Sequence, residues 1–159
     1  MDGTLTWMEN SALARILLDT PWAFPTLETL HFIGLIFLMG SLLVMDLRLT
    51  GFAPGMPINA VLRFIPVSVI GFFINLTTGT LFVFTDPYRY YPNLAFRLKM
   101  LAILLAGLNL LWFKFALNWQ ALEAENANNP GLAVRWIAGI SMLLWTAVIV
   151  LGRMIPYLE

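Results

Sequence analysis

Four long apolar runs dominate the chain, at about 26–45, 60–84, 94–117 and 132–155, with short breaks rich in glycine, proline or polar residues between them. Each run is long enough for one helix to cross the hydrocarbon core of a bilayer, which takes roughly 20 apolar residues. The first break, Gly51-Phe52-Ala53-Pro54-Gly55-Met56-Pro57, is a turn by its glycines and prolines. The second, Asp86-Pro87-Tyr88-Arg89-Tyr90-Tyr91-Pro92, adds three tyrosines suited to the headgroup level. The third, 123–131, is polar and closes on Asn129-Pro130-Gly131. Breaks this short join antiparallel neighbours. The pattern therefore predicts an all-α integral membrane protein, a single antiparallel four-helix bundle over 1–159. Ahead of the first run, Thr6-Trp7-Met8-Glu9 has the spacing of a capping box, and Leu13, Ile16 and Leu17 form an apolar stripe before Pro21. An amphipathic helix over 7–19 follows from this. It either lies in the membrane interface, anchored by Trp7 and Trp22, or caps one end of the bundle.

Composition sharpens the membrane expectation. Of 159 residues, 60% are hydrophobic and 11% charged, against about 25% charged in an ordinary soluble domain. A surface this apolar needs lipid around it. Formal net charge is zero, and no nucleic-acid-binding motif is present, so partners are expected to be the lipid bilayer and other membrane chains, not nucleic acid. The absence of cysteine excludes thiolate metal sites, disulfides and cysteine nucleophiles. The acidic stretch 1–9 lacks the basic start of a signal peptide, so the first run is expected to be retained. Basic residues divide four against five between the two sides, which leaves orientation undecided.

Polar residues inside the apolar runs carry the candidate chemistry, because each is costly in hydrocarbon unless paired or facing a cavity. Glu28 and His31, the only histidine, share one face of the first span. The second span has Gly71, Asn75, Thr78 and Gly79 at helical spacing. The third has Lys99, Ala102, Ala106 and Asn109, and the fourth has Arg135, Gly139, Met142, Thr146 and Arg153. Small and polar stripes of this kind are expected to face neighbouring helices. Antiparallel topology brings Glu28, His31, Thr78, Lys99 and Arg153 to one leaflet, with Asn75 slightly deeper. In the other leaflet Arg48 and Lys114 are expected to snorkel, and Asp46 to pair with Arg63 or Arg48.

Several stretches carry a resemblance: Pro25-Thr26-Leu27-Glu28-Thr29-Leu30-His31 after Trp22, Met45-Asp46-Leu47-Arg48-Leu49-Thr50-Gly51, Phe96-Arg97-Leu98-Lys99 with Ala106-Gly107-Leu108-Asn109, and Gly152-Arg153-Met154-Ile155. Together they resemble a bacterial family of four-span membrane proteins known only as a domain of unknown function. The resemblance implies a multi-pass protein of the bacterial inner membrane and picks out Glu28, His31, Asp46, Arg48, Lys99, Asn109 and Arg153. A more distant likeness is to CopD-type copper-resistance proteins and to b-type cytochrome bundles. Those bundles pair histidines from different helices, and this chain has one.

Four roles compete. In the leading one, Glu28, His31, Lys99 and Arg153 form a satisfied network that sets helix register in a structural or accessory membrane subunit. In the second, His31 is an axial haem ligand. Lys99 and Arg153 then hold propionates with Glu28 beside them, and Met39, Met154 or the His31 of a second copy completes the iron. In the third, a homo-oligomer conducts protons or ions through Glu28 and His31, with Lys99 and Arg153 setting the field. An enzyme using Glu28 and His31 as acid and base is the least supported, since no nucleophile or phosphate motif accompanies them. A metal site would need ligands beyond Glu28 and His31. The eight methionines and six tryptophans, including Trp112, Trp119, Trp136 and Trp145, are expected to serve packing and anchoring.

Overall fold

A computed structural model describes residues 2–116 and 131–158; the third break up to Pro130, and Trp119, lie outside the described residues. The helices are α1 (Asp2–Glu9), α2 (Ala12–Asp19), α3 (Ala23–Leu49), α4 (Ile58–Leu62), α5 (Ile65–Thr85), α6 (Pro87–Tyr90), α7 (Leu94–Ala116) and α8 (Leu132–Met154), the last running into a 3-10 turn at Ile155–Tyr157. Four helical segments, Ala23–Leu49, Ile58–Thr85, Leu94–Phe115 and Leu132–Tyr157, have mean hydropathies of 1.8 to 2.1 and the length to cross a membrane. Only 17% to 28% of each apolar window is buried in the protein. The remaining leucine, isoleucine and phenylalanine faces point outward, as lipid-facing surfaces do. The chain is thus an all-α, multi-pass membrane protein.

Local chemistry explains the ends. Pro25 sits in the first turn of α3, where a missing N–H is harmless, so the helix starts at Ala23. Gly51 stops it with a φ of 89°, a left-handed conformation that needs no Cβ. The second apolar run is interrupted at Arg63-Phe64, and α5 restarts at Ile65 with Pro66 in its first turn. The proline ring would collide with the Leu62 carbonyl in a continuous helix. The N-terminal segment is likewise two helices. Asn10 folds its side-chain amide onto the Thr6 carbonyl at 2.9 Å, and the Ser11 hydroxyl accepts the Ala14 N–H at 3.1 Å as the cap of α2. Thr6, inside α1, instead meets the Tyr88 hydroxyl at 2.8 Å, and Trp7 packs edge-on to Phe84. The segment is therefore fastened to the end of α5, with Ala14 fully buried, while Trp7 and Trp22 stay exposed.

Helix α3 packs along α5, and α7 along α8; the two hairpins meet chiefly through α3 and α8. At that joint Leu49, Val134 and Ala138 form a buried cluster against Phe113. Phe72 of α5 also reaches Trp145 of α8. The lateral order is α5–α3–α8–α7.

Candidate functional site

The α3–α5 interface has one register from end to end. His31 Nδ1 lies 2.7 Å from Thr78 Oγ1, and Ser41 Oγ lies 2.7 Å from Ser68 Oγ. Between them Gly34 faces Asn75, and Gly71 faces Leu38. The contacts recur at three- and four-residue steps on both helices, the spacing at which antiparallel helices mesh. Backbones touch at the centre. A Cβ built on Gly71 would lie 2.5 Å from the Leu38 nitrogen and 2.7 Å from the Gly34 carbonyl oxygen. Close approach of this kind is how small residues hold membrane helices together.

Hydrogen-bond accounting orients the His31 ring. Thr78 has one hydroxyl proton, and its 2.7 Å contact to the Ile74 carbonyl takes it. The hydroxyl therefore accepts from His31 Nδ1–H. In a neutral imidazole that leaves Nε2 as a lone-pair acceptor. Phe82 stands edge-on to the ring at 5.4 Å, and Lys99 of α7 is near enough to act on it electrostatically. The Lys99 ammonium itself lies over Gly152 of α8, 3.2 Å from where a Cβ would stand.

The other sequence-derived positions disperse. Asn75 donates to the Gly71 carbonyl of its own helix at 2.9 Å. Asn109, 8% exposed, donates to the Ile137 carbonyl of α8 at 3.1 Å. Glu28 is exposed, with its charge felt at Tyr90. Arg153 is exposed, bonded to the Tyr157 hydroxyl at 3.2 Å and stacked 5.5 Å above its ring. So His31 and Thr78 bond directly, Lys99 approaches them, and Glu28 and Arg153 turn to the surface. Burial pushes the Tyr90 phenol up from its ordinary range; Arg89 opposes the rise, and Asp86 and Glu28 add to it.

The opposite end departs from snorkelling. Arg48 is 2% exposed, and its Nε donates to the Met56 carbonyl at 2.5 Å, holding the 51–57 turn down on α3. Asp46 is 6% exposed and lies near Ser141 of α8, beside a small cavity lined by Met39, Met142, Trp145 and Thr146. Arg63 and Lys114 are exposed, as snorkelling chains are.

Two pairings escaped the sequence. Ser41 and Ser68 continue the His31 and Thr78 stripes by further steps of three and four, a periodicity that would have found them. Asn93 precedes a helix, a position where asparagine caps. Its Oδ1 does accept the Phe96 N–H at 3.1 Å, but its amide also donates to the Ile155 and Leu158 carbonyls at 2.9 Å each. No sequence signal marks that second contact.

The geometry fits haem only in part. His31 offers a lone pair with its other nitrogen hydrogen-bonded, the usual state of a metal-ligating imidazole. Met39 lies eight residues along α3 from His31, about 12 Å in rise, and cannot share its iron. Among the described residues no three His, Cys, Asp or Glu side chains gather to hold a metal ion. No protein-family model, curated protein or solved structure matches the chain. Of what the resemblance to a family of unknown function implies, the structure shows the four membrane-spanning helices.

Proposed function

We propose that the chain is a structural or accessory subunit of a membrane assembly, in the bacterial inner membrane by its resemblance, whose intramembrane polar groups set helix register. The α3–α5 seam carries this proposal. Its polar members, His31 with Thr78 and Ser41 with Ser68, bond to each other across the interface. A conducting role for the same residues fits less well, because backbone contact at Gly71 leaves no space for a file of water between His31 and Ser41.

Haem binding is the second proposal, favoured by the unspent Nε2 of His31 and the nearby Lys99. A haem would supply one-electron chemistry. His31 would hold the iron and Lys99 a propionate, with the His31 of a second copy also holding the iron. An oxidised-minus-reduced absorption spectrum of the detergent-purified protein, with metal analysis, separates the two. A structural subunit is colourless and metal-free, and His31→Ala changes only its stability. A Soret band lost in His31→Ala would overturn the structural role. Proton flux in proteoliposomes, abolished by His31→Ala in a folded protein, would establish conduction instead.

A further inference from the structure

The pairing of Asp46 with Arg63 that the sequence suggests is not made within one chain. The register of His31 on Thr78 and Ser41 on Ser68, carried five residues further along both elements, sets Arg63 at the level of Asp46. Yet Asp46 lies near Ser141 of α8 and is 6% exposed. Arg63 stands exposed at the break between α4 and α5, inside the apolar segment Ile58–Thr85. Neither makes an ion pair among the described residues. Arg48, two residues along α3 from Asp46, gives its Nε to the Met56 carbonyl. A buried carboxylate and a lipid-facing guanidinium are each costly within a span.

The surface around Asp46 is shaped to take a helix. A groove between α3 and α8 leads to it, lined by Met39, Leu42, Leu43, Met142, Trp145 and Thr146. Leu43 is 48% exposed, and Leu143, next to Met142, is 73% exposed, so the groove opens outward. Gly40, one turn from Leu43, and Gly139, one turn from Met142, have nothing within 4 Å of an added Cβ. Small residues of this kind let a second backbone approach. Charge selects the occupant, which must bring a cation to the depth of Asp46. A second copy does so, because two copies inserted in the same direction hold Arg63 and Asp46 at one level. With the lateral order α5–α3–α8–α7, a twofold axis beside α3 sets α5 of each copy against the α3–α8 groove of the other. A guanidinium then meets a carboxylate through two parallel N–H···O bonds.

We propose that the chain forms a parallel homodimer in which Arg63 of each copy enters the α3–α8 groove of the other and pairs with Asp46. The proposal rests on the reading of the chain as a structural subunit and names a second copy as its partner. The test uses full-length copies with two different tags in liposomes, and exploits the absence of native cysteine. Phe64→Cys on one copy and Leu43→Cys on the other should cross-link through a short thiol-reactive reagent into a dimer carrying both tags. Arg63→Gln, a change at an exposed residue, should keep the helical spectrum and let the dimer dissociate at about tenfold less lipid dilution, the worth of one charge-assisted contact. Asp46→Asn copies alone and Arg63→Gln copies alone have no complete pair, but mixed together they have one. The mixed dimer should therefore survive more dilution than either unmixed dimer. Equal dissociation of mixed and unmixed dimers would overturn the proposal, as would a wild type that stays monomeric at the highest protein-to-lipid ratio. Cross-linking of Leu43→Cys to a different protein in native membranes would give the groove to another subunit, which overturns the homodimer and keeps the structural role. That role fails by a separate result, a Soret band lost in His31→Ala, so the two failures are distinct.

Discussion

At the scale of single residues, burial of a polar group makes its partner the deciding fact. His31 and Thr78 satisfy each other, so His31→Ala leaves the Thr78 hydroxyl with only its own helix carbonyl and loses an interhelical bond. A loss of about 1–3 kcal/mol is expected, read as earlier unfolding in detergent with no change in bound species. Asn93 is the sharper case because donor and acceptor act on different elements. Asn93→Ala should cost about 1–3 kcal/mol through the lost cap and two stranded carbonyls. Asn93→Asp retains the cap acceptor but turns a carboxylate onto the Ile155 and Leu158 carbonyls. It should therefore be no more stable than the alanine variant. Were Asn93→Asp to match the wild type in thermal unfolding, the C-terminal contact would carry no weight.

At the scale of elements, the glycines divide by what surrounds them. Gly71 has backbone within 3.0 Å of an added Cβ, and backbone cannot rotate out of the way. Gly107, on α7, has nothing within 4 Å. Gly71→Ala should force α3 and α5 apart and cost about 1–3 kcal/mol, the usual penalty of overpacking. Gly107→Ala should be neutral or stabilise by up to about 1 kcal/mol through helix propensity alone. Equal unfolding behaviour of the two variants would show that the seam is not close-packed. Sequence periodicity placed Gly71 on the stripe expected to face a neighbouring helix and left Gly107 off the stripe of its own span. It did not separate contact from open surface everywhere, since Gly139, on the stripe of the fourth span, also has nothing within 4 Å of an added Cβ.

At the scale of the whole molecule, the lateral order α5–α3–α8–α7 is testable because the chain has no cysteine of its own. Leu49 and Ala138 belong to the cluster that joins the two hairpins. Leu49→Cys with Ala138→Cys should therefore cross-link within one chain on treatment with a short thiol-reactive reagent. A pair that fails to react while both thiols label singly would place the hairpins apart. The same arrangement separates groups that leaflet counting brought together. Glu28, His31, Lys99 and Arg153 share one end of the bundle, yet Glu28 and Arg153 face outward while His31 turns into the α3–α5 seam. Depth is legible from residue number and helix rise; azimuth depends on which neighbours each helix has.

The sequence alone determined what lipid exposure and chain connectivity dictate: four spans, their alternating directions, the first two turns between them, and the level at which each polar residue sits. Those follow from runs of apolar residues and from glycine and proline, which act locally. Only the tertiary structure decided which side chains meet. It bonded His31 to Thr78, set Asp46 near Ser141, buried Arg48 under the 51–57 turn, and joined Asn93 to the carbonyls of Ile155 and Leu158. Each of these pairs residues on different helices or across a turn. Such choices are made by helix rotation and close packing of small residues, energies that no single segment contains.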